Sequence, residues 1–596
     1  MPKVAPMSNR NRIWDDILLI LTMAVLAGCG LIYEYLLSHY AGRVLGMMES
    51  TIYAMIGLMI VAMGLGAFAA RKIQCAFNGF VWLELSIAFL GSSSILIIGG
   101  LIALTQTFPE ILGQIFNLPP DAYPRGGLLK ELSFIAFNSP YLFGLILGFF
   151  IGMEIPLIAR IREEIHQKHL KNNLGTIYGA DYIGAGIGAA VWVIFLLSID
   201  ISKASALTAA LNLTAGSIFV LYYWQRLNWR KTLISAHLVL LVLIIAIYQF
   251  GNSWLSQMSN LLYLDKVVYS DKTRYQQLTF TERNIGGNNS KIINFYLNGR
   301  LQFSSADEFI YHGYLVSPVL AGSARHDNIL IIGGGDGLAL RDVLQWQPKK
   351  VTLVDLDSEL IEIFKHPKKL TQDYLLPQQS QDSRDKKSLP QKPLPPRLAD
   401  SISKLNKGSF QDERVEVINT DAFIAIDALL QQKLSFDAII VDLPDPSHPD
   451  LNKLYSVNFY AKLKQLLAGD GLIGIQSASP YHAKSAFISI GKTVKAAEYS
   501  SVQQYHDNVP TFGEWGWTIA SKMGAAPLTR LKKLSALPVP HPWLTLPMVT
   551  NAFEFPRDFY KHQESVPVNY LGSHAIYQLH QQAWKDQQGL HEAYLQ

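Results

Sequence analysis

Seven stretches of the chain, centred near Leu26, Leu58, Phe89, Leu145, Gly186, Leu213 and Leu241, are apolar over the length of a membrane span. A helix needs about 20 such residues to cross the hydrocarbon core, and one soluble core cannot bury so many uniformly apolar helices. Residues 1–250 therefore predict a multi-pass α-helical membrane domain. The first apolar run follows Arg10 and Arg12, is full length and lacks a small-residue cleavage site, so it reads as a span rather than a removable signal. Composition, 49% hydrophobic and 16% charged over 596 residues, averages this half with a soluble one.

Four acids, Glu34, Glu84, Glu154 and Asp181, fall within or at the ends of these spans. Intramembrane carboxylates are costly, and two readings compete: helix capping or pairing with Arg43, Arg71 or Arg160, and a polyamine or ion pathway. The glycine-rich stretch from Tyr178 to Ala190 predicts close helix–helix approach. The two cysteines, Cys29 and Cys75, are too few for a disulfide framework and read as packing residues. A net charge of +4 without a clustered basic face predicts no nucleic-acid partner.

The soluble half alternates short strands with helices. Asn328–Ile332 reads as a buried strand, 333–337 as a glycine loop (Gly-Gly-Gly-Asp-Gly), Leu338–Trp346 as a helix and Val351–Val354 as a second strand ending at Asp355. That order is the first βαβ unit of a nucleotide-binding sheet, with an acid placed to bond ribose hydroxyls. A dinucleotide fingerprint fits poorly, because Leu338 or Leu340 stands at its sixth position. Asp336 also sets a carboxylate where a pyrophosphate would lie, so a sulfonium or amine-bearing adenosine suits the loop better. A further strand, Phe436–Val441, delivers Asp442 and Asp445 on a proline-stiffened loop at the sheet edge where ligands bind. Two carboxylates there can seat a diamine and take a proton from it; the plainer reading is that both cap the next helix.

These motifs resemble the spermidine synthases, specifically their membrane-anchored bacterial branch. The resemblance runs from about Tyr269 to Ala520 and rests on several motifs in order. They are Tyr275-Gln276, 298–302 (Asn-Gly-Arg-Leu-Gln), Asp307-Glu308 with Tyr311-His312, the glycine loop with Arg341, Asp355, Asp421-Ala422 and 442–446. Leu454-Tyr455 with Phe459-Tyr460, Gln476, and 510–512 with Trp515-Gly516 follow. Glu154-Ile155-Pro156 and 178–181 resemble the membrane branch.

The resemblance implies an α/β Rossmann-like, methyltransferase-type domain preceded by a small β-rich segment. It divides the soluble half into a linker and β-rich part at 251–325, the Rossmann-like domain at 326–525 and a C-terminal tail at 526–596 without a usable motif. Residues 366–407, rich in Gln, Lys, Ser and Pro, read as a disordered insertion. The implied activity is aminopropyl transfer from decarboxylated S-adenosylmethionine to putrescine, giving spermidine and methylthioadenosine. Gln276 and Asp336 would hold the aminopropyl end, Asp355 the ribose, and Asp421 with Ala422 the adenine. His312, Asp336 and Asp445 would meet the acceptor amine, with Pro449 near the thioadenosine. Asp442 would be the general base, and Tyr311 and Gln302 complete the substrate-binding set. No metal or cofactor is required, because the sulfonium carbon is already activated.

Four positions depart from the soluble members: Asp355 and Asp342 stand for a usual Glu, Gly313 for a Glu, and Phe512 for a tyrosine that helps place the acceptor. Tyr505 and Tyr481 are the candidates to replace that hydroxyl, while His448 and His506 read as structural or substrate-shaping residues rather than bases. Two other classes of function compete. One is a polyamine transporter or sensor that binds without turnover. The other is a methyltransferase using ordinary S-adenosylmethionine, whose carboxylate the acids at 336, 442 and 445 would repel.

Orientation carries a conflict. Lys3, Arg10 and Arg12, then Arg71 and Lys72, then Arg160, Arg162, Lys168 and Lys171, then Arg226, Arg230 and Lys231 fall on one side if spans alternate. The positive-inside rule makes that side cytoplasmic, and seven spans would send the soluble half to the other side, away from cytosolic substrates. The expectation is a multi-pass protein of the cell (inner) membrane with a cytoplasmic catalytic domain, in which one span is miscounted or re-entrant, or Trp254–Leu264 packs on the bilayer. A homodimer is the expected assembly, as the soluble relatives are commonly dimers.

Overall fold

The computed structural model describes residues 9–45, 48–116, 127–167, 172–261, 263, 265–285, 290–371 and 393–586. The chain forms two compact units, Met1–Leu264 and Asp265–Gln596.

The first unit is helical: α1 Asn9–Leu45, α2 Met48–Ala69, α3 Ala76–Ile115, α4 Leu128–His166, α5 Asn173–Ile194, α6 Ile201–Tyr222 and α7 Arg230–Asn260. All seven are long and apolar enough to cross a membrane. Glycines let neighbours touch backbone to backbone. A β-carbon on Gly184 or Gly188 of α5 would sit 1.9 Å from the Ala24 carbonyl oxygen or 2.5 Å from that of Gly28 on α1, so only glycine permits this crossing. Large apolar side chains such as Ile183 and Ile187 on α5 and Val239 and Val242 on α7 face outward. The last helix runs to Asn260, past the expected boundary at 250, because Leu255 still packs against the bundle core.

One end of the bundle gathers the basic residues. Arg162 near the end of α4 pairs with Asp16 near the start of α1 at 2.7 Å. Arg160 donates to the carbonyls of Ala70, Ile73 and Gln74 beyond α2. Tyr223, following α6, donates to Asp15 at 3.0 Å. Arg160 is thus committed to backbone, and among the described residues neither it nor Arg71 pairs with a span carboxylate. The side chain of Arg43 and residues Lys3, Lys168 and Lys171 lie outside the described residues.

The second unit opens with an antiparallel sheet, β1 Lys266–Lys272, β2 Gln277–Ile285, β3 Ser290–Leu297 and β4 Arg300–Ser304, in sequential order. After α8 (Glu308–Gly322) comes a seven-stranded sheet built from β5 Asn328–Gly333, β6 Lys350–Asp355, β7 Val415–Asn419, β8 Phe436–Asp442, β9 Leu467–Gln476, β10 Ser501–Val509 and β11 Gly513–Ser521. Its order is β10-β11-β9-β8-β5-β6-β7, with β5 to β9 parallel and β10 and β11 antiparallel. Strand order reverses between β5 and β8, and the crevice beyond their carboxyl ends is where such sheets bind ligands. Between strands lie α9 Leu338–Leu344, α10 Ser358–Lys365, α11 Pro396–Leu405, α12 Ala422–Gln431, α13 Val457–Leu466 and α14 Lys484–Ala496, followed by α15 Pro527–Leu531, α16 Leu546–Asn551 and α17 Ala575–Asp586.

One expectation needs correction. The insertion expected over 366–407 is in part ordered: α11 buries Leu398, Ala399 and Ile402 from one face, an apolar spacing that a composition count overlooks. Residues 372–392 of that stretch lie outside the described residues. The C-terminal segment, which offered no usable motif, is packed onto the unit. Asn569, fully buried, donates to the carbonyls of Asn452 and Tyr455, and Ile576 joins the core beneath the sheet.

Candidate active site

The site grows from one register pair. Gly333 ends β5 opposite Asp442 at the end of β8, and the Gly334 N–H donates to the Asp442 carbonyl at 3.1 Å. A β-carbon on Gly333 would lie 2.1 Å from that carbonyl oxygen, and its φ of 82° favours glycine independently. The loop then turns so that the Gly335 N–H donates to Asp355 Oδ2 at 3.1 Å and the Leu338 N–H to Asp336 Oδ1 at 2.9 Å. Three carboxylates from three strand ends therefore converge around one glycine loop.

Helix α8 supplies the opposing wall. Tyr311 donates its hydroxyl to Asp442 Oδ1 at 2.8 Å, and His312 Nε2 stands 3.9 Å from Asp442 Oδ2. His312 Nδ1 lies 3.0 Å from Glu308 Oε2 one turn back, and Glu308 takes a two-pronged bond from Arg341 at 2.7 and 3.0 Å. Arg341 is held in turn by Asp342. Burial works against the His312 cation, yet the bond and charge of Glu308, with Asp442 and Asp336 adding, lift its pKa to about 9. Burial likewise opposes the Glu308 anion, but His312 and Arg341 hold it down to about 2. At neutral pH this is a charged chain aimed at Asp442.

The acids facing the crevice behave differently. Burial pushes Asp442 above the usual carboxylate range, with the His312 charge and the Tyr311 bond pulling back. Burial lifts Asp336 to about 6, opposed by His312 and reinforced by Asp442. Asp355 rises to about 7, again chiefly through burial. Burial also works on Asp445, but His580, Gln476 and Arg300 outweigh it and hold this acid below its ordinary value. Anions raised by burial are ones that a cationic ligand would stabilise.

The remaining expected residues divide. Gln276 donates to Asp357 Oδ2 at 2.8 Å, and Asp355 Oδ1 accepts from the Asp357 N–H, so Gln276 joins the Asp355 side of the site. Asp421 caps α12, where Ala422 begins, and pairs with Lys453 at 2.6 Å. Pro449 starts the turn Pro449–Tyr455 beyond the Asp445 loop. Gln302 is not brought in; its amide turns back to the carbonyls of Arg300 and Leu301 on its own strand. Phe512 packs against Tyr311, with ring centroids 6.0 Å apart. Neither proposed replacement reaches that place, since Tyr505 donates to the Tyr314 carbonyl and Tyr481 is exposed beside His506. His448 caps its own turn, and His506 is bonded to Glu514.

Further partners brace the Asp445 loop and α8. His580 Nε2 on α17 lies 3.3 Å from Asp445 Oδ2, and Gln476 donates to Asp445 Oδ1 at 3.0 Å and to the Leu443 carbonyl. Tyr455 donates to the Pro444 carbonyl. A β-carbon on Gly313 would lie 2.7 Å from the His541 ring, so the C-terminal segment fills the space a larger residue there would need. Gln476, Tyr455, Glu308 and Arg341 were visible as motif residues; His580, Asp357 and His541 carried no signal.

A family model described as the spermine/spermidine synthase domain matches residues 308–373 and 399–533. The chain is 54% identical over 577 residues to a polyamine aminopropyltransferase of Shewanella oneidensis, covering 97% of this chain and 96% of the relative. It is 30% identical over 522 residues to polyamine aminopropyltransferase 1 of Streptomyces coelicolor, covering 87% and 86%. Among solved structures, a spermidine synthase in complex with the transition state analogue AdoDATO is similar with a TM-score of 0.40 and 22% identity, over 50% of this chain and 90% of that one.

Proposed function

The chain belongs to the polyamine aminopropyltransferase family, and on that premise we propose that it transfers the aminopropyl group of decarboxylated S-adenosylmethionine to putrescine at the Asp442 site. The observation that carries this reading is Asp442 itself, recessed at the end of β8, bonded by Tyr311 and faced by His312.

The chemistry follows from charge and position. The donor is a sulfonium with a free amine, and Asp336 beside the glycine loop is the acid that its aminopropyl end would meet. Asp355 would hold the ribose, with Gln276 on its side of the site through Asp357, and Asp421 with Ala422 the adenine. The acceptor is a diammonium, and Asp445, kept ionised by His580 and Gln476, suits its far amine. Asp442 takes a proton from the near amine, whose nitrogen then attacks the carbon next to sulfur. The N–C bond forms as the C–S bond breaks, and the electron pair leaves on methylthioadenosine. The sulfonium is already a good leaving group, so no metal or cofactor step is invoked. Holding both substrates in line supplies much of the remaining rate.

The first unit is proposed to span the cell membrane. Its outward apolar faces and seven long helices support that, and carbonate washing should leave the full chain in the membrane pellet. The catalytic unit is proposed to face the cytoplasm, where the donor is made, and to pair as a homodimer. One observation favours the opposite side: the basic end of the bundle is the end at which α7 begins, not the end at which it leaves. A reporter fused after residue 596 decides between the two sides.

Purified full-length protein, given decarboxylated S-adenosylmethionine and putrescine, should release methylthioadenosine and spermidine in equal amounts. Ligand binding without product would overturn the enzymatic reading in favour of a sensor or transporter.

A further inference from the structure

The helical unit has a polar centre that the catalytic reading leaves unused. Glu84 of α3 and Glu154 of α4 are 2% and 1% exposed, and among the described residues neither has a cationic partner. Both oxygens of Glu154 and Oε1 of Glu84 lack any hydrogen bond. Asn212 of α6 donates to Glu84 Oε2 at 2.8 Å, while its own Oδ1 is left without a partner. Tyr33 of α1, 1% exposed, has an unpartnered hydroxyl within electrostatic reach of both Glu84 and Glu154. Asp181 of α5 lies within such reach of Glu154. A β-carbon on Gly216 would sit 3.6 Å from Glu84 Cβ and 3.9 Å from His237 Nε2, which brings α7 to the same place.

Five of these side chains come from helices α3 to α7, and each lies about 10–18 Å, at 1.5 Å per residue, from the helix end on the basic side of the bundle. They converge at one depth. Orphaned polar groups in an apolar interior cost several kcal/mol each, and carboxylates cost more.

The unsatisfied atoms are mostly of one chemical character. Glu154 Oε1 and Oε2, Glu84 Oε1 and Asn212 Oδ1 are all acceptors, the Tyr33 hydroxyl offers a single donor, and the cluster is short of donors. Among the described residues no group of three or more His, Cys, Asp or Glu is arranged to hold a metal ion. A bare proton would silence one carboxylate and leave the other acceptors unmet. An alkylammonium brings three N–H donors and no acceptor, and a diamine brings one such head for each carboxylate.

We propose that Glu84 and Glu154, with Tyr33 and Asn212, form a binding site inside the helical bundle for a protonated alkyl diamine or polyamine. The site is separate from the Asp442 crevice and built from different helices. Choosing putrescine and spermidine as probes rests on the proposed function.

The test uses the full-length protein in lipid nanodiscs. N,N′-dicyclohexylcarbodiimide reacts with carboxyl groups in apolar surroundings, and peptide mass spectrometry reads the labelling at Glu154 and Glu84. Putrescine or spermidine should lower labelling at Glu154 at least about fivefold, while sodium chloride at equal ionic strength leaves it unchanged. In Tyr33→Phe the protecting concentration should rise several-fold. Labelling that is absent, indifferent to amines, or suppressed equally by sodium overturns the proposal. Methylthioadenosine formation read in the same sample separates the two claims. Turnover without protection sinks this site alone, and protection without turnover sinks the catalytic reading alone.

Discussion

His312 Nε2 stands 3.9 Å from Asp442 Oδ2 while its Nδ1 is bonded to Glu308, so one imidazole links a buried ion network to the proposed base. Its positive charge opposes the rise that burial imposes on Asp442. Removing that charge in His312→Gln should let Asp442 titrate at higher pH. The acid limb of the kcat/KM profile should then move to higher pH, and an unmoved limb would show that the two groups do not communicate.

The same imidazole makes stability depend on pH in a defined direction. Its pKa rises from 6.5 to about 9 in the fold, so its contribution is complete below 6.5 and is lost as pH climbs through about 9. Glu308 has the opposite sign: its value falls from 4.5 to about 2, so its contribution is present above 4.5 and lost as pH drops toward 2. Thermal unfolding of the wild type and His312→Gln should differ most below pH 6.5, and the gap should narrow steadily toward pH 9. A constant gap would contradict the assigned charge state.

His580 reaches Asp445 from the far end of the sequence. Replacing it with Ala removes a partner that keeps this acid ionised, so the KM for putrescine should rise by about tenfold, the ~1.4 kcal/mol of one such interaction, with donor affinity unchanged. Equal losses for donor and acceptor would mean that α17 merely holds the unit together.

Gly313→Glu would restore the residue usual in soluble relatives but drive a side chain into His541 and Leu544. Overpacking of this kind costs about 1–3 kcal/mol, and scanning calorimetry should show a lower Tm. An unchanged Tm would mean that the C-terminal segment does not pack there in solution.

What the sequence made legible was contiguous. The strand, glycine loop, helix and strand from Asn328 to Asp355 lie within one βαβ unit, so residue order alone aligns Asp336 with Asp355. Phe436–Asp442 was readable as a buried strand for the same reason. Contacts closed by distant chain were not. Asp445 meets His580, and Gly313 meets His541, through a segment whose short helices lack any motif. The α11 helix was masked by its polar composition, since only Leu398, Ala399 and Ile402 face inward. In the helical half, apolar length announced seven helices, but the choice between pairing and a polyamine or ion pathway for Glu84 and Glu154 depended on where Arg160 points, and it points at backbone.

The most direct measurement is single-turnover methylthioadenosine formation by Asp442→Asn, with donor binding followed in parallel. A base role predicts a fall in rate of about a hundredfold or more while decarboxylated S-adenosylmethionine still binds as in the wild type. Turnover near the wild-type rate would remove Asp442 from that role and leave the convergence of acids around the glycine loop without its catalytic meaning.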